Sequence, residues 1–476
     1  MKKFFTCSLF TLHLFSGLFA QLSLKNKRAV EVQYSPHHPA NTFIPSKVLG
    51  AAFDGHPKGD IDLILTPENV NAMLTVGLNP VSYRLRTELG VEAWHWNPEG
   101  TWSENGKQQG YWTSESHPSK DIQLSNGYRL PRRGNTHDQA DDDNYSRLDD
   151  GDPKTFWKSN PYLDEYYTKE SNALHPQWII VDLGELMPVN AIRIQWANPY
   201  ALSCKVDNAP DIGNDYFDPL QPGLWNSFSK GIIKDIHGEN KIILVSSIPV
   251  KVRFVRITMI ESSYTTKENS VDIRDCSGFA IKEIEVGLLD TKEKFHDWIK
   301  HAAKNNKQSV MHVSSTDPWH RAIDIDTNTE QAGVDRFFAS GLINHPPAMM
   351  PVALLYDTPD NMVALLQYLL AKHYPVQELE MGEEPEGQLI YPEDYASLYC
   401  QWAAAIKKVA PAIQLGGPCF ASLPTQEEND YAFTERKWTS HFLKYLEDHN
   451  SLAAFNFFSF EWYPFDDICA PTAPQL

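Results

Sequence analysis

The chain has 476 residues, 42% of them hydrophobic, and a formal net charge of −19. That length predicts roughly two or three domains, and the apolar content supports sizeable cores, which excludes an intrinsically disordered chain. No basic block follows the first few residues, so the clustered Lys and Arg that nucleic-acid phosphates need are absent. Aromatic residues reach 12%, with 13 Trp. A surplus of them on loops suits sugar rings, whose apolar faces stack on indole.

Met1-Lys2-Lys3, an apolar run from Phe4 to Phe19 and then Ala20-Gln21 form a charged region, a hydrophobic region and a small residue at a cut. Residues 1–20 therefore read as a secretory signal peptide. Thr, Ser, His and Gly interrupt the run, so it is too weak for a spanning helix. The mature protein is expected to be soluble and exported, either periplasmic or extracellular. Cys7 lies inside the signal, which leaves Cys204, Cys276, Cys400, Cys419 and Cys469. An odd count in an exported chain excludes a fully paired framework. Cys204–Cys276 is the bridge open within one domain, and buried free thiols are the reading for the rest.

Residues 21–136 begin with a polar lead-in and then alternate strand and helix. Val48 to Phe53 reads as a strand. Thr66-Pro67 opens a helix, with Thr66 as cap and Pro67 where its missing N–H is not needed. Val81 to Arg86, which includes Arg84, reads as a second strand. Strand–helix–strand at this length is the unit of a parallel barrel or a doubly wound sheet. Trp94, His95, Trp96, Trp102, Tyr111 and Trp112 then crowd into loop-like sequence. They read as a sugar-stacking wall or as a satellite cluster under a long loop.

From residue 137 to 288 helical periodicity is absent. Short runs such as Trp178 to Leu183, Ala191 to Trp196 and Val252 to Ile257 stand between turn residues, the pattern of an all-β sandwich. Leu148-Asp149-Asp150-Gly151-Asp152-Pro153-Lys154-Thr155-Phe156-Trp157 is followed by Pro176-Gln177-Trp178-Ile179-Ile180-Val181-Asp182-Leu183-Gly184. Val189 to Ile194, Arg253 to Ile257 and Ile281 to Val286 complete an ordered series. On these residues the segment resembles a discoidin, or coagulation factor 5/8 type C, domain, a jelly-roll sandwich. The resemblance implies carbohydrate binding and a structural calcium held by Asp150, Asp152, Thr155 and Glu283. Hard oxygen donors from one tight loop plus a distant Glu suit that ion.

Strand–helix alternation resumes over residues 289–476. Lys292 to Lys304 reads as a helix with Phe295, Trp298, Ile299 and Ala302 on one face. Ser309 to His345 reads as loop-rich. Met350 to Tyr356 is a strand, Thr358-Pro359 opens a helix, and Val376 to Met381 is the next strand. It ends in Gly382-Glu383-Glu384-Pro385, and a carboxylate at the C-terminal end of a strand is where an α/β barrel keeps its chemistry. Pro392 opens another helix, Ala412 to Pro418 gives a strand, Trp438 to Leu446 a helix, and Ala453 to Pro464 a sixth strand.

This ordered series resembles a clan A glycoside hydrolase of the β-xylosidase/α-iduronidase type. The fold implied is an α/β barrel of the TIM type with its first six strands present and the sandwich inserted after the second. Where that family has Asn-Glu-Pro, this chain has Glu383-Glu384-Pro385, and the resemblance makes Glu384 the acid/base of a retaining mechanism. Glu383 in place of Asn accepts hydrogen bonds unless protonated, so its contact with sugar differs. Glu461, Trp462 and Tyr463 match the sixth strand and are implied substrate contacts, together with Arg84, Trp94, His95 and Trp96 after the second. The resemblance places the nucleophile on a seventh strand, beyond Leu476, so the chain reads as a fragment. The function implied is an exported glycosidase acting on an oligosaccharide or polysaccharide, with no catalytic cofactor. The alternative is a non-catalytic carbohydrate-binding or adhesion protein with a degenerate barrel.

Overall fold

A computed structural model describes residues 22–23, 29–30, 51–53, 56–57, 64–76, 83–85, 93–128, 146–211, 223–266, 270–303, 307–324, 329–342, 348–385, 389–420 and 438–461. The expected signal peptide lies outside them. The chain divides into two compact units, Met1–Val48 and Leu49–Leu476. In the first, Leu22–Ser23 pairs antiparallel with Ala29–Val30. Everything that follows concerns the second.

Strand β1 (Ala51–Phe53) and strand β2 (Tyr83–Leu85) pair in parallel, joined through helix α1 (Pro67–Thr75). Thr66 caps α1 by accepting the Asn69 N–H at 3.3 Å, with Pro67 in the first turn. The sandwich follows. Its strands are β3 (Trp157–Lys158), β4 (Gln177–Val189), β5 (Ala191–Trp196), β6 (Ala201–Ala209), β7 (Asn226–Ile233), β8 (Ile242–Leu244), β9 (Val250–Ser262), β10 (Ala280–Leu289), β11 (Phe295–Asp297) and β12 (Val310–Val313). One sheet runs β7-β6-β9-β4-β12, the other β3-β10-β5-β8 with β11 on β10, and every pairing is antiparallel.

Strand β4 shows why the sequence reads Trp178-Ile179-Ile180-Val181 without alternation. Its residues point to opposite faces in turn. Ile179 and Val181 enter the sandwich core with Ile192, Ile194, Val255, Ile257, Ile284 and Val286. Trp178 and Ile180 enter a second core, shared with Tyr395, Leu398, Tyr399 and Trp402. A strand buried on both faces loses its polar alternation.

That second core belongs to a parallel layer of β13 (Ala348–Val352), β14 (Val376–Met381) and β15 (Gln414–Gly416). Met350 pairs with Leu379, and Leu379 with Leu415. Helix α2 (Pro359–Ala371) connects β13 to β14, helix α3 (Pro392–Val409) connects β14 to β15, and helix α4 (Trp438–Asp448) follows. Thr358 caps α2 as Thr66 caps α1, accepting the Asn361 N–H at 3.2 Å. Helix α4 buries Trp438, Phe442 and Leu446, four residues apart, and so presents one stripe. Strand β13 lies beside β2, and Gly416 and Phe420 form parallel bridges with Phe457 and Phe460. Among the described residues no helix is long and apolar enough to cross a membrane.

Four expectations are corrected. Lys292–Lys304 is not a helix, because β11 pairs Phe295 with Leu289 and Asp297 with Gly287 and so extends a sandwich sheet. Within the loop-rich stretch, β12 pairs Val313 with Ile179 and carries the sandwich past residue 288. In place of a sixth strand from Ala453 there is a 3-10 turn over Leu452–Ala454, with single bridges at Phe457 and Phe460. Cys204 and Cys276 are both free. Cys204 lies on the buried face of β6, where burial pushes its thiol up to about 12, while Cys276 donates to the Ile273 carbonyl.

Candidate functional site

Strand β14 ends at Met381, and the chain then turns through Gly382 at φ +100° and Glu384 at φ 46°. The Glu384 N–H donates to the Cys419 carbonyl at 2.7 Å, and the Cys419 N–H donates to the Gly382 carbonyl at 3.3 Å. The Glu461 N–H donates in turn to the Phe420 carbonyl at 2.7 Å. Cys419 Sγ stands 4.0 Å from Glu461 Oε1. Backbone pairing thus brings Glu383, Glu384 and Glu461 to one edge, the C-terminal ends of successive parallel elements. Glu383 is buried, 3% exposed, whereas Glu384 and Glu461 are half-buried.

Asp357, just past β13, faces the same end of the layer. It accepts the Asn361 side-chain N–H at 2.7 Å and the Thr358 N–H at 2.8 Å. Burial of its carboxyl pushes it up to about 7 against the pull of those bonds. The sequence offers little sign of it, since an Asp before a capping Thr reads as part of a turn.

The remaining residues singled out from the sequence do not all join this edge. Trp96 is 1% exposed, its ring 5.2 Å from that of Tyr368. Trp102, Tyr111 and Trp112 are buried too, with Trp102 edge-on to Trp112 at 5.0 Å. Trp96 therefore belongs to the core shared with α2 and α3, and Trp102, Tyr111 and Trp112 form a satellite cluster; none of the four belongs to a sugar-stacking wall. The cause is the hairpin Thr101–Glu104 with Gln109–Thr113, whose pairing the loop-like sequence hides. Arg84 lies on β2, and Trp94 and His95 pair through the backbone with Gly127 and Asn126. The side chains of these three lie outside the described residues, as do Trp462 and Tyr463 altogether.

A second group gathers at the turn before β3. Asp150 accepts the Asp152 N–H at 2.8 Å and the Thr155 hydroxyl at 2.6 Å. Glu283 reaches across from β10 to accept the Gly151 N–H at 2.7 Å. Burial raises the Asp150 carboxyl, the Thr155 and Asp152 bonds oppose the rise, and the neighbouring Glu283 carboxylate adds to it. The Asp152 carboxylate is taken up by the Lys154 N–H, while its carbonyl faces Thr155. Among the described residues no three His, Cys, Asp or Glu side chains are grouped to hold a metal. A cation here needs the Thr155 hydroxyl and the turn's carbonyls beside the two carboxylates, and that all-oxygen set fits calcium in kind.

On the sandwich's own surface an open cleft of about 600 Å³ is lined by Glu165, Tyr166, Lys169, Ser171 and Tyr264. Tyr166 is 50% and Tyr264 41% exposed. The Tyr264 hydroxyl donates to Glu165 at 3.1 Å and receives the Asn172 side-chain N–H at 3.2 Å.

With this geometry in place, comparison with known proteins defines the class of the sandwich. Residues 133–273 match the F5/8 type C domain family and form a domain of that class. Among solved structures the chain is similar to chitosan-binding module 1 of a chitosanase/glucanase from Paenibacillus sp. IK-5, at 23% identity and a TM-score of 0.21, covering 30% of this chain and 82% of that one. It is also similar to the CBM32 of AlyQ in complex with 4,5-unsaturated mannuronic acid, at 17% identity and a TM-score of 0.19, covering 29% and 82%. A pectin-binding carbohydrate-binding module is similar at 15% identity and a TM-score of 0.19, covering 30% and 80%. No curated protein matches the chain.

Proposed function

We propose that the chain is an exported glycoside hydrolase component with two working surfaces. The F5/8 type C sandwich binds glycan at the cleft between Tyr166 and Tyr264, and the parallel layer is the first part of a TIM-type barrel with Glu384 as acid/base. The observation that carries the hydrolase reading is the gathering of Glu383, Glu384 and Glu461 at the C-terminal edge of consecutive parallel elements. In a parallel barrel that edge carries the chemistry. In the binding reading, two half-exposed tyrosine rings flank polar side chains on a domain of this class.

In the mechanism, Glu384 protonates the glycosidic oxygen as the glycosidic bond breaks, and the carboxylate that the resembled family carries on its seventh strand, about 5 Å away, attacks the anomeric carbon. Glu384 then deprotonates the water that displaces this carboxylate and releases the sugar. Glu383 and Glu461 contact the sugar hydroxyls as acceptors, with Trp462 and Tyr463 beyond Glu461, and Arg84, Trp94 and His95 completing the subsite. Calcium, held by Asp150, Thr155, Glu283 and the Asp152 carbonyl, would tie the turn to β10 and supply no catalytic step. The second reading is glycan binding without turnover, and it is favoured by Glu383 standing where the resembled family has Asn.

One experiment separates the two. The protein at its native length and its Glu384→Gln variant are assayed on a panel of 4-nitrophenyl glycosides and by affinity electrophoresis in soluble polysaccharides. Hydrolysis by the wild type that falls by at least about 100-fold in Glu384→Gln is expected. Retardation is expected to survive that change but to weaken about tenfold in Tyr166→Ala or Tyr264→Ala, an anchor-sized loss. Retardation with no turnover by the wild type removes the hydrolase reading. No retardation in any polysaccharide removes the binding one.

A further inference from the structure

We propose that His175, carried by the sandwich, is a positioning residue for the Glu383–Glu384 turn, acting through Asp394 and the first turn of α3. Its functional meaning rests on the reading of Glu384 as acid/base, while the clamp itself is a matter of geometry.

His175 is buried, its side chain 1% exposed, between two carboxylates. Nδ1 is 2.6 Å from Asp394 Oδ1, and Nε2 is 3.1 Å from Glu170 Oε2. A neutral imidazole has one N–H, so only the imidazolium donates to both oxygens. Asp394 is the third residue of α3. Its neighbour Tyr395 donates its hydroxyl to the Met381 carbonyl at the end of β14. The same hydroxyl lies 2.8 Å from where a Cβ on Gly382 would stand. The linkage therefore runs from the sandwich loop through His175, Asp394 and Tyr395 to the residue that precedes the Gly382–Glu384 turn.

The far side of the clamp is fixed as well. Glu170 accepts from the Tyr445 hydroxyl on α4, and His449 Nε2 stands 3.2 Å from it. Tyr445 lies edge-on to His175 at 6.4 Å. Behind these, Glu393 acts on Asp394, and Cys400 stands near Glu170. Burial alone pulls His175 down, but the bonds and charges of Asp394 and Glu170 outweigh it and hold the ring above its ordinary value. The other contacts across this seam are neutral: Tyr162 edge-on to Trp402 at 5.2 Å, and the Gln401 side chain donating to the Tyr162 carbonyl at 2.8 Å. A second imidazole, that of His449, stands against Glu170 on the same seam, so the difference between wild type and His175→Gln, and not pH alone, isolates the contribution of His175.

The test is hydrogen–deuterium exchange on the full chain, wild type and His175→Gln, over a pH series that starts at about pH 6, below the ordinary histidine value, and rises until the wild type changes. Exchange is corrected for its intrinsic pH dependence. Peptides over residues 376–385 and 392–399 are expected to lose protection on the order of tenfold in the variant at the start of the series, with 250–262 unchanged. In the wild type the same peptides loosen as pH rises. Asp394→Asn repeats the effect from the other side, should His175→Gln not fold. On an aryl glycoside that the wild type hydrolyses, kcat is expected to fall with KM unchanged, and the alkaline limb of its pH profile to move. Unchanged exchange at 376–385, in a folded variant and across pH in the wild type, overturns the proposal. A wild type that hydrolyses no glycoside removes the acid/base reading alone and leaves the exchange to decide the clamp.

Discussion

Gly382 sits where a side chain has no room. Its φ of +100° is one that L-residues rarely adopt, and an added Cβ would stand 2.8 Å from the Tyr395 hydroxyl, itself bonded to Met381. Gly382→Ala is therefore expected to destabilise the protein by about 2 kcal/mol, from backbone strain plus displacement of Tyr395. Urea unfolding followed by tryptophan fluorescence reads this directly, and an unchanged midpoint would mean that the turn yields without cost. The place of Glu384, in the turn just after a strand, was legible in the sequence because an alternating strand, a glycine and a downstream Pro392 frame it. His175 was not, because its partner Asp394 is 219 residues away and an acid in the first turn of a helix reads as ordinary dipole compensation. Trp96 misled for the opposite reason. A tryptophan in loop-like sequence carries no local mark of whether a distant ring, here Tyr368, covers it.

Elements were most legible where one face alone decides them. Helix α4 has a single buried stripe, and α1 and α2 start at Thr-Pro. Phe295-His296-Asp297-Trp298-Ile299 fits a helical face and a strand equally well over so short a run. Pairing with Gly287–Leu289 chose the strand, and the Trp298 indole N–H then bonds the Pro188 carbonyl at 2.9 Å. The turn before β3 is the element whose state depends on more than the chain. It holds Asp150 close enough to Glu283 for the Glu283 charge to disfavour that of Asp150, while His301 pairs with Glu283 at 2.9 Å. A divalent cation relieves that repulsion, so chelation is expected to lower the melting temperature and added calcium to restore it. At 100 times its dissociation constant the ion contributes about 2.7 kcal/mol. Differential scanning calorimetry of the wild type and Glu283→Gln checks this. A wild-type transition unmoved by calcium after chelation would show the turn to be self-sufficient.

At the scale of the molecule, the sandwich is not an appendage on a flexible tether. One core runs from Trp178, Ile180 and Phe254 of the sandwich into Tyr395, Tyr399 and Trp402 of α3. Continuous burial of this kind makes two parts unfold together, and sequence patterns cannot reveal it, since each strand shows only that it is buried. The charged link across this seam gives the joint unit a pH dependence with a defined sign. The folded state raises His175 above its ordinary value of 6.5, so it binds the proton more tightly than the unfolded chain does. The resulting stability is complete below about pH 6.5 and is lost as pH rises through the raised folded value. Removing one partner of a buried charged pair costs about 3–5 kcal/mol. His175→Gln is thus expected to lower stability by that order at about pH 6, and by progressively less as pH rises through the raised folded value, where the wild type itself gives up the imidazolium. Melting temperatures of both proteins across this range decide the matter, because parallel curves would assign the loss to packing, whereas curves that converge toward alkaline pH assign it to the charge His175 carries between Glu170 and Asp394.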